Sequence, residues 1–243
     1  MDKTNLRDGN RNFYREYYSD PNISRWRAIS ARYKAENVIR LWSSCGLRKP
    51  ALADVGCGDG ALIMTLDNVR FARSYTGIEI SESGLEKAKM QKYQSPCNFI
   101  LFDGCTIPFQ NQSFDLAVLS HVLEHVDCPR LLLHEAARIA RYIFVEVPLE
   151  LNCRTPLHYK PTPVGHINLF NPLLLRQLVE SSGLRIMAEQ ITCPGLPVFT
   201  YQQSFLRAWF HWAIKSALLK LARGTATSLF TYNGCVITED KPK

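Results

Sequence analysis

The sequence predicts an α/β fold built on a doubly wound, mostly parallel sheet. Between residues 51 and 192, short apolar runs that suit buried strands alternate with helix-compatible segments. Repeated units of this kind form a parallel sheet with helices on both faces. The first unit, residues 51–66, places a glycine cluster between its strand and its helix, where such folds turn tightly. The length of 243 residues favours one domain with additions.

Each predicted element has its own signal in the sequence. A helix with apolar residues at helical spacing covers residues 24–43, and Gly46 ends it. Asn171 caps a later helix that begins at Pro172 and ends at Gly183. A helix begins at Ser81 or Ser83 and ends near Gln91, and Ser83 and Glu86 are spaced as a capping box. The remaining predictions are helices over 61–66 and 129–139 and strands over 51–55, 74–80, 98–102, 114–119, 142–147, 184–192 and 228–238.

These elements divide one domain, residues 1–243, into four parts. They are an N-terminal helical cap (1–46), an α/β core (47–192), a helical insertion (193–227) and a last strand with its tail (228–243). The first residues are polar and lack the apolar region of a secretory signal, and no apolar run is long enough to span a bilayer. We therefore expect a cytoplasmic protein.

Charge and cysteine content narrow the classes of partner. Lysine plus arginine exceeds aspartate plus glutamate by 29 − 22 = 7, which suits an anionic partner. Because the positive residues are dispersed, nucleic acid is not favoured. The eight cysteines contain no CxxC pair, so we expect reduced thiols and neither a zinc site nor another metal.

The glycine cluster predicts a nucleotide site. Gly56, Gly58 and Gly60 follow the first strand and open the first helix, where free amides attract an anionic group. Glu79 ends the next strand 79 − 60 = 19 residues after Gly60, at the spacing where a carboxylate accepts ribose hydroxyls. The same glycines with Ala61 also fit the GxGxxA form of a nicotinamide dinucleotide site.

Five short segments, in their order along the chain, resemble the motifs of one protein family. Residues 54–60 (DVGCGDG), 77–80 (GIEI), 102–104 (FDG), 114–118 (FDLAV) and 120–126 (SHVLEHV) occur in the order of its motifs, over roughly residues 51–192. The sequence thus resembles the class I S-adenosylmethionine-dependent methyltransferases. The resemblance implies a Rossmann-like sheet of seven strands in the order 3-2-1-4-5-7-6, whose last, antiparallel strand residues 228–238 would supply.

The resemblance also implies roles for individual residues. Asp54 and the loop backbone would hold the methionine moiety of S-adenosylmethionine, Glu79 the ribose, and Ile80 one face of the adenine. Asp103 and Gly104 would border the adenine edge. The full set implied for the donor and its product S-adenosylhomocysteine is Asp54, Gly56, Cys57, Gly58, Gly60, Glu79, Ile80, Asp103, Gly104, Ser120 and His121.

Two histidines are candidates for a catalytic base. His121 and His125 follow the fourth strand at the carboxyl side of the sheet, where doubly wound folds bind ligands. A base is needed only if the methyl acceptor carries a proton, and a histidine near neutrality can accept it. The alternative is that one histidine contacts the donor while the other makes a buried hydrogen bond. Glu124 is expected to be solvated or to orient the turn.

Substrate contacts are expected from two variable segments. The loop after Val147 contributes Arg154, His158, Tyr159 and His166, and Arg154 with Lys160 would suit an anion. A solvated surface loop is the alternative. Near the N-terminus, Tyr14, Tyr18 and Arg27 could cover the donor pocket.

The helical insertion carries an apolar stripe with regular spacing. Its members are Leu206, Trp209, Phe210, Ala213, Ile214, Ala217, Leu218 and Leu221, with Arg207, His211, Lys215 and Lys220 expected on the polar side. Because stripes of this kind usually pack on protein, a substrate roof or a homodimer contact through residues 201–222 is preferred over peripheral membrane contact.

Together these features predict an enzyme that uses S-adenosylmethionine to methylate O or N of a small metabolite, and the net positive charge suits an anionic one. A nicotinamide-dependent oxidoreductase is one alternative. A non-catalytic binding protein with the methyltransferase fold is the other.

Overall fold

The computed structural model describes Tyr18, residues 20–160 and residues 165–240. Its strands are β1 (Ala51–Val55), β2 (Ser74–Glu79), β3 (Cys97–Leu101), β4 (Phe114–Ser120), β5 (Ala140–Pro148), β6 (Leu184–Thr192) and β7 (Asn233–Asp240). They form one sheet in the order β3-β2-β1-β4-β5-β7-β6. Strands β1 to β5 pair parallel, whereas β7 pairs antiparallel with β5 and β6. The implied strand order and antiparallel last strand are therefore confirmed.

The helices in the described part of the chain alternate with these strands and then form the insertion before β7. They are α1 (Pro21–Ser44), α2 (Ala61–Asn68), α3 (Glu82–Met90), α4 (Pro129–Ile139), α5 (Pro172–Ser181), α6 (Leu196–Gln202), α7 (Phe205–Leu221) and α8 (Arg223–Leu229). As expected, the side chain of Asn171 accepts a hydrogen bond from the Leu174 amide at 2.8 Å and caps α5.

The sheet has an apolar core on each face, as a doubly wound fold requires. One core joins the sheet to α4 and α5 and contains fully buried Leu133 and Val179. The other joins it to α1 and α2, where the ring of Trp42 packs edge-on against Tyr142 with centroids 5.5 Å apart. All five residues of β1 are buried, which explains its uninterrupted apolar run.

Most element ends lie within about three residues of the sequence prediction, and the start of β7 differs most. β7 begins at Asn233 rather than residue 228, because residues 223–229 form α8, in which the Ser228 hydroxyl donates to Gly224 O at 2.9 Å. The helical insertion therefore extends to Leu229. Of the two predicted starts of α3, Ser81 is the cap, because its hydroxyl accepts from the Gly84 amide at 3.3 Å.

The orientation of α7 leaves much of the apolar stripe exposed. Leu206, Phe210 and Ile214 are exposed, so they do not pack on the core of this chain. Lys215, expected on the polar side, is buried. No helix in the described ranges has the length and apolar character needed to cross a membrane.

Candidate functional site

The carboxyl ends of β1, β2 and β4 meet around the glycine loop. Gly56, Gly58 and Gly60 have φ angles of 80°, 57° and 78°, in the left-handed region that favours glycine. The amides of Gly56 and Cys57 donate to Ile78 O at 2.7 and 3.2 Å, which ties the loop to β2. The side chain of Cys57 lies in the core, so only its backbone is available to a ligand.

Glu79 lies under this loop and is only 4% exposed. Its Oε2 accepts from the Gly58 amide at 2.8 Å, and its Oε1 accepts from the amides of Ile80 and Ser81 at 2.9 and 3.0 Å. Burial raises the pKa of this carboxyl, while the amide hydrogen bonds oppose the shift. Glu79 therefore orders the glycine loop through these three amide hydrogen bonds.

Asp54 is the unusual carboxyl of the site. It is 2% exposed, and its Oδ2 has no hydrogen-bond partner. Burial raises its pKa from 3.8 to about 7, although the charges of Lys34 and Arg27 act in the opposite direction. A buried acceptor without a partner costs free energy, so this atom is suited to a ligand that carries a positive charge or N–H donors.

Ile80 and Gly104 are brought together at the position implied for adenine. A Cβ on Gly104 would lie 3.6 Å from Cγ2 of Ile80. Asp103 is exposed, and its Oδ1 accepts from the amides of Cys105 and Thr106 at 2.8 and 2.9 Å. These bonds fix the turn beside Ile80, so an apolar face and a polar edge lie next to each other.

Buried polar groups fix the end of β4. The Ser120 hydroxyl donates to Glu146 Oε2 at 2.8 Å. His121 has a φ of 58°, and its Nδ1 lies 3.1 Å from Oε1 of Glu124. Glu124 is fully buried, so the expectation of a solvated carboxylate was wrong. Burial acts to raise the pKa of Glu124, but hydrogen bonding and charge from His121 outweigh it and hold that pKa below its usual value.

His125 and His166 form a second pair beside Glu124. Their rings meet edge to face with centroids 4.8 Å apart. Nδ1 of His125 lies 3.3 Å from Gly165 O, and Nδ1 of His166 lies 2.7 Å from Glu150 Oε2. Burial lowers the pKa of His125. The side-chain atoms of Glu124, His125 and His166 that could bind a metal lie within 4.8 Å of one another. Both histidines, however, already have protein partners.

The N-terminal helix α1 closes the site from one side. The guanidinium of Arg27 pairs with Asp59 at 3.0 Å and lies 4.9 Å from the ring centroid of Tyr18. A Cβ on Gly58 would lie 2.1 Å from Nη2 of Arg27 and 2.7 Å from the Tyr18 hydroxyl. These contacts place Tyr18 and Arg27 directly over the glycine loop, as a cover for the donor pocket would require.

The sequence prediction missed two polar residues of α1. The Asn37 amide donates to Glu146 Oε1 at 2.9 Å. Burial lowers the pKa of Lys34, and Glu146, Glu124 and Asp54 oppose this shift. Arg27, Lys34 and Asn37 recur at helical spacing among the buried apolar residues of α1. Polar residues repeated on a buried helix face were the sequence signal that could have identified Lys34 and Asn37.

The predicted substrate residues of the long loop do not form one cluster. The Tyr159 hydroxyl donates to His166 O at 3.4 Å, so these two lie together beside His125. Arg154 is exposed and lies over the ring of Phe230, 5.8 Å from its centroid, next to the insertion. His158 is exposed. Tyr14 lies outside the described residues.

Comparison with known proteins relates this chain to methyltransferases. Residues 53–142 match the family model described as a methyltransferase domain. The chain is 36% identical over 90 residues to the mitochondrial ubiquinone biosynthesis O-methyltransferase of Candida albicans, over 35% of this chain and 27% of that protein. It is 28% identical over 151 residues to O-methyltransferase resE of Aspergillus sclerotiorum, over 58% of this chain and 55% of that protein.

Structural comparison covers nearly the whole chain. Magnesium protoporphyrin IX methyltransferase of Synechocystis PCC 6803, crystallised with bound SAH, superposes with a TM-score of 0.62 and 16% identity over 99% of this chain and 100% of that one. The curated relatives match over about a quarter and about half of their own lengths. Residues 53–142 therefore match a methyltransferase domain, and the sheet around them has the strand order that the class I resemblance implies.

Proposed function

We propose that this chain binds S-adenosylmethionine at the carboxyl edge of β1, β2 and β4 and transfers its methyl group to O or N of a small molecule. The observation that carries the proposal is the buried, unpartnered Oδ2 of Asp54 beside the glycine loop. The donor's amino-acid moiety carries an ammonium group, which supplies the positive charge and N–H donors that this oxygen lacks.

The other donor contacts follow from the geometry around this carboxylate. Oε1 of Glu79 already accepts two amide bonds, whereas Oε2 accepts one and retains a lone pair for a ribose hydroxyl. Ile80, which lies beside Gly104, provides an apolar face for the adenine. The bound donor supplies a methyl group activated by the sulfonium, and the protein's contribution is to align the acceptor with it in a dry site.

For an acceptor that arrives protonated, we propose that His125 or His121 takes the proton. Both histidines follow β4. Nδ1 of His125 lies against Gly165 O, and Nδ1 of His121 lies against Glu124. Replacing the base by glutamine should lower turnover about 10²–10⁴-fold and leave donor affinity nearly unchanged. His121, one residue past β4, is expected to affect donor affinity as well. Wild-type turnover in both single variants and the double variant would contradict histidine base catalysis.

Both curated relatives named above are O-methyltransferases, which supports oxygen as the acceptor atom. The net charge of +7 is the support for an anionic acceptor, since Arg27 is paired with Asp59 and carboxylates surround Lys34. A cytoplasmic location remains part of the same proposal.

The two alternatives make different predictions about ligands. The sheet order found here differs from the 3-2-1-4-5-6 order of a classic dinucleotide fold, which disfavours the nicotinamide-dependent oxidoreductase. A non-catalytic binding protein would bind the donor and leave every acceptor unmethylated.

The test is calorimetry with S-adenosylhomocysteine and with NAD, followed by transfer of a labelled methyl group to pools of small hydroxylated and amino compounds. We expect binding of S-adenosylhomocysteine alone and labelling of at least one pool. Binding of NAD alone would support the oxidoreductase, and donor binding without transfer to any pool would support the binding protein.

A further inference from the structure

Helix α7 exposes an apolar stripe on the surface of the described chain. Leu206 is 70% exposed, Phe210 59%, Ile214 55% and Leu221 86%, and the ring of Trp209 borders them at 43%. The spacing of these residues places them along one side of a helix with 3.6 residues per turn. Single exposed apolar residues are common on protein surfaces, but a contiguous helical stripe of this kind marks an interaction surface.

Contacts on the opposite side fix this orientation of α7. The Lys215 ammonium donates to Thr231 O at 2.5 Å and lies 5.2 and 4.9 Å from the ring centroids of Phe199 and Tyr232. The Tyr232 hydroxyl donates back to Lys215 O at 2.9 Å. Turning the stripe inward would break these bonds and expose the fully buried Ala208, so the apolar side stays open on the part of the chain that the structure describes.

The charges around the stripe identify the kind of partner. No aspartate or glutamate occurs from Gln190 to Thr238. Arg207 and Lys220 are exposed and, by helical periodicity, lie on opposite borders of the stripe, and exposed Arg223 follows its end. An apolar face with aromatic residues, bordered by basic side chains, matches the requirements of an anionic bilayer surface.

We propose that α7 lies in the interface of an anionic membrane, with its stripe among the acyl chains and Arg207 and Lys220 at the headgroups. A second copy of this chain fits less well. A two-fold contact pairs the same patch from both copies, so the basic borders would meet with no acidic residue of the insertion to neutralise them.

The insertion borders the candidate methyl-transfer site. The Tyr201 hydroxyl at the end of α6 donates to Asn22 O at the start of α1 with a distance of 2.7 Å. The Leu149 amide, just after β5, donates to Tyr232 O at 2.7 Å. A docked α7 would therefore hold the edge of the sheet that carries the site close to the bilayer.

Vesicle flotation tests the proposal without any measurement of catalysis. The probes are vesicles of phosphatidylcholine alone and of phosphatidylcholine with phosphatidylglycerol, at low and high salt. We expect the full chain to float with the anionic vesicles only and to be released by salt. Equal binding to neutral vesicles, or no binding to either kind, would overturn the proposal.

Matched variants separate the stripe from general surface effects. Leu206→Asp is compared with Leu173→Asp, since Leu206 is 70% and Leu173 on α5 is 69% exposed. We expect Leu206→Asp to bind anionic vesicles at least about tenfold more weakly, because it removes apolar burial and adds a repelled charge. Leu173→Asp should bind as wild type. Equal effects of the two variants would exclude α7 as the docking element.

A charge pair of variants tests the basic border. Lys220→Glu should weaken binding to anionic vesicles about tenfold, whereas Lys89→Glu on α3, also exposed, should not. Analytical ultracentrifugation tests the competing partner. A dimer that Leu206→Asp dissociates, with wild-type protein that does not float, would replace the membrane by a second copy. Unchanged thermal melting shows that each variant is folded.

Discussion

Replacing Asp54 with asparagine should stabilise the ligand-free protein at neutral and alkaline pH. The pKa of Asp54 rises from 3.8 to about 7, a shift of about 3 units, because its charged form is buried. At 1.36 kcal/mol per unit, the charged carboxylate costs about 4 kcal/mol of folding free energy above that pKa. The buried asparagine amide lacks some hydrogen-bond partners, which costs about 1–3 kcal/mol. The free energy of unfolding should therefore increase by about 1–3 kcal/mol on balance.

The gain should depend on pH in a defined direction. An unfolded chain releases this proton near 3.8, whereas the folded chain retains it up to about 7. The folded state therefore binds more protons between these values, and the Asp54 contribution to wild-type stability falls as pH rises through this window and is constant above it. The asparagine variant lacks this contribution. Its advantage over wild type should grow from pH 4 to 7.

Chemical denaturation at several pH values measures this effect. Asp59→Asn is the control, since it removes the ion pair with Arg27 at 3.0 Å and should destabilise the protein. A stability difference between Asp54→Asn and wild type that does not change with pH would refute the argument. The same variant should lose most of the thermal stabilisation that S-adenosylhomocysteine gives to wild type, because it no longer offers a carboxylate to the ammonium group.

Further substitutions test the donor site through other atoms. Glu79→Gln should weaken S-adenosylhomocysteine binding by about 1.5–3 kcal/mol in calorimetry, because it removes a charged acceptor from the ribose and from the Gly58 amide. Glu82→Gln, at an exposed position, is the control. If Glu79→Gln binds as tightly as wild type, Glu79 does not belong to the site. Gly58→Ala should cost more than about 1 kcal/mol and abolish donor binding, since its φ is +57° and the new Cβ would lie 2.1 Å from Arg27. Gly224→Ala, with nothing within 4 Å of its Cβ, should be neutral or stabilising in thermal melting, and a matching loss in both glycine variants would contradict the steric argument.

Local sequence patterns were sufficient for the core of the fold. The limits of β1, α4 and β6 match the predictions at both ends. Burial on both faces imposes an apolar run on a central strand, and Pro129 begins α4 in its first turn, so these signals lie within the elements themselves. β7 was assigned a start five residues too early because the apolar and β-branched residues before it also suit the short helix α8.

The sequence by itself determined where the glycine loop lies, since only glycine readily adopts the left-handed angles found at Gly56, Gly58 and Gly60. It did not determine which side of α7 is buried. Lys215, which the pattern assigned to solvent, packs between Phe199 and Tyr232, and the apolar stripe faces outward. It also did not show that Lys34 and Asn37 approach Asp54, Glu124 and Glu146. Contacts between distant segments depend on the complete packing of the chain, and periodicity within one helix carries no information about what the other segments place against it.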